Sequence, residues 1–163
     1  MRHLFIYGTL RHLPLLEIVL GRSAGAIDLR PATLPGYRVS AAAEGPFPTI
    51  ETCEAAQADG LLVQGLSADD FARLDFYEGA FDYDLVPVTL ADGQAAEVYL
   101  PQPGRWTGEG PWSLEAWEAE HARGTYYLQA GRILSPARLQ EIPSVGSVIA
   151  YETRDQRRES DFL

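Results

Sequence analysis

The sequence predicts an α+β domain with a mainly β centre, a small curved or closed sheet flanked by a few helices, and three observations lead there. Residues 31–65 are a series of short β-favouring segments (Tyr37-Arg38-Val39, Thr49-Ile50, Leu61-Leu62-Val63) broken by Pro35-Gly36, Gly45-Pro46, Pro48 and Asp59-Gly60. Tyr83 to Leu90 and Ala95 to Leu100 read as two strands, with the Asp92-Gly93 pair supplying a hairpin turn. Helical patterns are confined to short separate stretches. The 163 residues suit one domain spanning 1–163 with a single sizeable core.

Taken in order, His3 to Tyr7 is apolar, aromatic and β-branched until Gly8 interrupts it, which predicts a short buried strand ending in a tight turn. Pro14 to Leu20 predicts a brief buried helix, with proline tolerated in its first turn and Gly21 as its stop. Ser67 followed by Asp70 spells a capping box, opening a helix to Glu78 whose apolar face is Phe71, Leu74 and Tyr77, with Gly79 as its stop. Pro101 to Pro111 is glycine- and proline-rich and reads as a loop carrying Trp106. Ser113 caps a helix to about Ala122, Ser135-Pro136 opens another, and Val148 to Tyr151 returns as a strand. From about Glu152 the chain is polar, which predicts a solvated tail.

Composition removes several classes of function. Twenty-three acids face 13 basic residues, all arginine, for a net charge of -10. That balance opposes polyanions, so neither nucleic acid nor a membrane surface is an expected partner, and a small molecule or a protein is. Cys53 is the only cysteine, which excludes an intramolecular disulfide and a Cys-rich metal site and fits a reducing cytoplasm. The N-terminal apolar run is too short for a signal segment, and no stretch approaches the length of a membrane span. There is no Walker loop, no G-x-G-x-x-G and no H-E-x-x-H, and His3, His12 and His121 lack paired ligand spacing, so no metal is expected.

Two places carry chemistry on their residues alone. Tyr7-Gly8-Thr9-Leu10 sits where a buried strand ends, and a glycine there lets backbone amides approach a ligand carboxylate. A plain structural turn has the same spelling. Glu78 stands at a helix C-terminus, where the dipole disfavours an acid, with Asp75, Asp82 and Asp84 near it and aromatic neighbours able to desolvate it. Each influence raises a carboxyl pKa toward the value a general base needs, although an exposed glutamate in a turn is the plainer alternative. Gly21-Arg22-Ser23-Ala24-Gly25 satisfies G-x-S-x-G, but Ser23 follows a helix and precedes strand-like sequence, the reverse of a nucleophile elbow. Trp106, Trp112 and Trp117 suit either a pocket or core packing.

Phe5-Ile6-Tyr7-Gly8-Thr9-Leu10-Arg11, then Pro31-Ala32-Thr33-Leu34-Pro35-Gly36-Tyr37, Phe47-Pro48-Thr49-Ile50, and Leu74-Asp75-Phe76-Tyr77-Glu78-Gly79 followed by Tyr83 resemble the gamma-glutamylcyclotransferase-like (AIG2-like) family, over about residues 3–101. The resemblance implies a small mixed β-barrel with flanking helices, whose cavity binds a small γ-glutamyl substrate. It implies that Glu78 is the catalytic acid/base, that Tyr7, Gly8, Thr9 and Leu10 form the substrate-binding loop, and that Tyr83 stands beside the cavity. Asp84 and Leu85 replace the basic residue often found after that aromatic. The implied reaction turns a γ-glutamyl amide into 5-oxoproline and a free amine or amino acid, with no cofactor. A noncatalytic small-molecule-binding protein of the same fold is the alternative.

Overall fold

The computed structural model describes residues 1–78, 82–122 and 124. The elements are β1 (Arg2–Ile6), α1 (Leu13–Leu20), β2 (Asp28–Ala41), β3 (Pro48–Leu66), α2 (Ala68–Glu78), β4 (Tyr83–Thr89), β5 (Ala95–Pro101) and α3 (Leu114–Glu120), with short 3₁₀ turns at Thr9–Arg11 and Ala24–Ala26. They form one mixed sheet in the order β2-β3-β1-β5-β4, in which only β1 and β5 run parallel. The expected Gly79 stop, the helix at Ser135-Pro136, the strand at Val148 to Tyr151 and the polar tail lie outside the described residues.

The central position of β1 explains its unbroken apolar run, because a strand covered on both faces has no polar side. Leu4 and Ile6 join a core with Leu15, Leu16, Ile18 and Val19 of α1 and Leu74 of α2. Phe5 points the other way, into a second core with Tyr7, Leu34, Ile50, Leu62 and Val98 inside the curl of the sheet. The capping box forms as its residues predict: Asp70 N–H donates to Ser67 Oγ at 3.2 Å and Ser67 N–H donates to Asp70 Oδ2 at 2.8 Å. Arg22 adds an ion pair to Asp70 at 2.5 Å, tying the start of α2 to the end of α1.

Two expectations are corrected. The segment 31–65 is not a run of short strands with corners; only Gly45-Pro46 turns the chain, where Ala42 N–H donates to the Phe47 carbonyl at 3.0 Å. Pro35-Gly36 is a bulge within β2, where the register shifts between Pro35 and Tyr37 and Gly36 takes φ +82°, a value other residues resist. Asp59-Gly60 lies inside β3, paired with Thr33 and Ala32. There a side chain, rather than a turn, is what the position excludes: a Cβ on Gly60 would stand 2.2 Å from the Ile6 carbonyl oxygen and 2.8 Å from the Phe5 ring. Gly60→Ala should therefore lower stability by about 2 kcal/mol or more, measured by denaturant unfolding, because β1 has no room to retreat. An unchanged midpoint would mean that β1 and β3 are not so closely apposed.

The second correction is to the closed barrel. Among the described residues the edge strands β2 and β4 share no ladder, and the sheet stays open. The two edges touch at one end, where Ala91 N–H donates to the Thr33 carbonyl at 2.9 Å and Arg30 pairs with Asp92 at 2.9 Å. Proline supplies the physical reason. Pro31 and Pro35 in β2 and Pro87 in β4 have no N–H to give, and proline in a strand belongs on an unpaired edge. A seam remains between the β2–β3 arm and β5. Among the described residues no helix is long and apolar enough to cross a membrane.

Candidate active site

A cleft opens where β1 ends, lined by Phe5 to Leu10 on one side, Phe47 and Pro48 on another, and Tyr77, Glu78, Tyr83 and Tyr99 on the rest. The topology makes it. β1 delivers Tyr7 and Gly8 to the C-terminal end of the central strand, and the chain then leaves in a 3₁₀ turn at Thr9–Arg11. Gly8 has no side chain to cap that turn, and the first N–H groups of a helical turn have no partner within it. Leu10 faces inward, 4% exposed in the helix-side core, so it meets the cleft while anchoring the turn. All six residues singled out in the sequence, Tyr7, Gly8, Thr9, Leu10, Glu78 and Tyr83, come together here.

Glu78 ends α2 on the buried side, one residue from Tyr77 and one turn from Leu74. It is 8% exposed, and among the described residues no hydrogen bond or ion pair reaches its carboxyl. Burial pushes its pKa up to about 8. The neighbouring acids, expected to help, do not: Asp75 accepts a hydrogen bond from Tyr99 Oη at 2.5 Å, Asp82 pairs with Arg105 at 3.4 Å, and Asp84 accepts from Gln102 at 2.6 Å. Desolvation is the cause that operates.

Three tyrosines surround that carboxyl. Tyr7 is buried and donates to the Tyr99 carbonyl at 2.8 Å, which fixes the end of β1 to β5. Burial first, and then the Tyr83 and Glu78 charges, raise the Tyr7 pKa well above its ordinary value. Tyr83 is raised by burial and by Glu78, and Tyr99 by burial, its bond to Asp75 and the Asp75 and Glu78 charges. All three remain neutral hydroxyls wherever Glu78 titrates. The Thr9 hydroxyl and Tyr77 Oη lie 3.3 Å apart, linking the 3₁₀ turn to α2.

Tyr99, Phe47 and Pro48 went unrecognised as cleft residues. Tyr99 carries no local signal, since its position depends on β5 pairing in parallel with β1, a contact between residues far apart in the chain. Ser23 lies in the connection from α1 to β2, as its flanking residues indicate, and borders neither this cleft nor the second cavity described below. Trp117 is core, 3% exposed with its ring edge-on to His12, and Trp112 packs beside it. Trp106 instead stands against Phe47, ring centroids 4.7 Å apart, with Arg105 stacked on its other side at 4.0 Å.

Compared with known families, the chain matches Gamma-glutamyl cyclotransferase, AIG2-like, over residues 4–119, which reaches past the N-terminal motifs into α3. It is 26% identical over 126 residues to Protein AIG2 C of Arabidopsis thaliana, covering 74% of each chain. Among solved structures it resembles a solution structure of an Arabidopsis thaliana protein, with TM-score 0.57, 24% identity and coverage of 80% and 79% of the two chains. It also resembles a gamma-glutamyl cyclotransferase, with TM-score 0.54, 15% identity and coverage of 86% and 84%. At those identities the structural likeness concerns the fold.

Proposed function

The chain belongs to the gamma-glutamyl cyclotransferase, AIG2-like family, and from that membership and the chemistry of its cleft we propose that it converts a small γ-glutamyl amide into 5-oxoproline and a free amine or amino acid, with Glu78 as general acid/base. The observation that carries the proposal is the buried Glu78 carboxyl, without a partner among the described residues, facing a cleft beside an open backbone turn.

The substrate brings its own nucleophile, because the α-amine of a γ-glutamyl group reaches the γ-carbonyl carbon to close a five-membered ring. The protein must hold the chain folded and carry protons from the attacking nitrogen to the leaving one. An α-ammonium titrates at about 8 or above, whereas an ordinary carboxylate titrates near 4.5, so taking that proton would cost about 5 kcal/mol. With its pKa pushed up to about 8, Glu78 accepts the proton at little cost. The free amine then attacks, the C–N bond to the leaving amine breaks as Glu78 returns its proton to the departing nitrogen, and the second proton shed by the attacking nitrogen passes through the freed Glu78 carboxylate to the released amine, which leaves as an ammonium. The N–H groups after Gly8 suit the α-carboxylate or the developing oxyanion, and the neutral hydroxyl of Tyr83 suits a polar atom of the substrate. No electron transfer or hydrolytic water enters the balance.

Only ionised Glu78 removes the proton, and burial holds it protonated up to about pH 8. The kcat/KM for 5-oxoproline release should rise roughly tenfold per pH unit below that point and fall again as the substrate's own ammonium loses its proton. A profile that is already flat from pH 5 upward would contradict the role given to Glu78.

A further inference from the structure

A second cavity of about 380 Å³ adjoins the cleft, walled by Tyr37, Thr49, Ile50, Glu51, Leu100 and Trp106. The open sheet creates it, since the β2–β3 arm parts from β5 beyond Tyr99. Its roof is held in place: both carboxylate oxygens of Glu44 accept from Thr107 N–H at 2.9 and 3.0 Å, and Glu109 N–H donates to the Ala41 carbonyl at 2.7 Å. Phe47 and Trp106, whose rings meet edge-to-face, are the shared wall, Phe47 lining the cleft and Trp106 the cavity.

One buried polar group at this place is poorly satisfied, and Thr49, only 4% exposed, lines the same cavity. The Trp106 indole N–H is buried beside the Tyr83 hydroxyl without a well-formed hydrogen bond. A buried group left so is costly unless something else satisfies it. Resting on the cyclotransferase reading, we propose that this cavity receives the leaving amine, and that it favours γ-glutamyl amides whose amine carries a flat aromatic body and no carboxylate. Tyr37, Trp106, Ile50 and Leu100 give that body apolar walls. Glu51 is the charged residue among the lining residues, held by Arg38 at 2.5 Å, and it repels a carboxylate in a chain of net charge -10.

The test binds three amines to the full chain and follows each by ligand-observed NMR: 2-phenylethylamine, phenylalanine and methylamine. Affinity for 2-phenylethylamine should exceed that for either of the others by about tenfold. Thr52→Trp, which fills the cavity from an exposed wall position, and Trp106→Ala, which removes the shared wall, should each erase that preference. Equal affinities for the three amines, or a preference unchanged in both variants, would overturn the proposal. The γ-glutamyl derivatives of the same amines separate the two readings. Release of 5-oxoproline with no aromatic preference removes the cavity's role and leaves the cyclotransferase; an aromatic preference in binding with no release from any derivative does the reverse.

Discussion

Glu78→Gln should lower the rate of 5-oxoproline release by at least about a thousandfold, near the upper part of the range for losing one positioned acid/base group. The amide keeps the shape of the side chain, so the fold is retained, and a circular dichroism spectrum and melting curve check this. The two proteins should differ in stability in a way that only a buried acid explains. The pKa of Glu78 is raised in the folded state, so its protonated form is accommodated fully below about pH 4.5. As pH climbs from there through about 8, the unfolded chain gains an ionised glutamate that the folded chain cannot match, and stability falls. Gln does not titrate. The variant and the parent should melt together near pH 4.5, and the variant should melt several degrees higher at pH 9, the difference corresponding to a few kcal/mol. Parallel melting temperatures across that range would mean that Glu78 is solvated in the folded protein.

Gly8→Val should reduce kcat/KM by roughly a hundredfold, chiefly through substrate binding. A Cβ at position 8 already stands 3.0 Å from Pro48 Cγ, across the cleft from the 3₁₀ turn. Pro48 begins β3 and is held by its pairing with Ala41, so it yields little. The two methyls of valine then take the space through which a ligand reaches the turn's N–H groups. Kinetics on wild type and variant decide it: an unchanged KM would mean that the ligand does not approach this backbone.

Local chemistry was legible in the sequence. The strand from His3, the capping box of Ser67 and Asp70, the Asp92-Gly93 hairpin and the cap at Ser113 depend on residues a few positions apart, and each stands as read. The burial of Glu78 was also foreseeable from the apolar face of Phe71, Leu74 and Tyr77, since Glu78 follows Leu74 by one turn on that face. The order of strands was not. Pro-Gly and Asp-Gly pairs signal turns from local preference, yet at Gly36 and Gly60 tertiary contact decided otherwise, one becoming a bulge and the other the point where β1 presses on β3. The open seam, the second cavity and the place of Tyr99 follow from long-range pairing that no short window contains.

The most direct test of the account is to run the reaction on a γ-glutamyl amide in water enriched in oxygen-18 and identify the products by mass spectrometry. Cyclisation by the substrate's own amine consumes no water, so the account predicts unlabelled 5-oxoproline together with the free amine. Labelled glutamate would show hydrolysis in its place, and the absence of both products from the folded protein would remove the catalytic reading of Glu78 altogether.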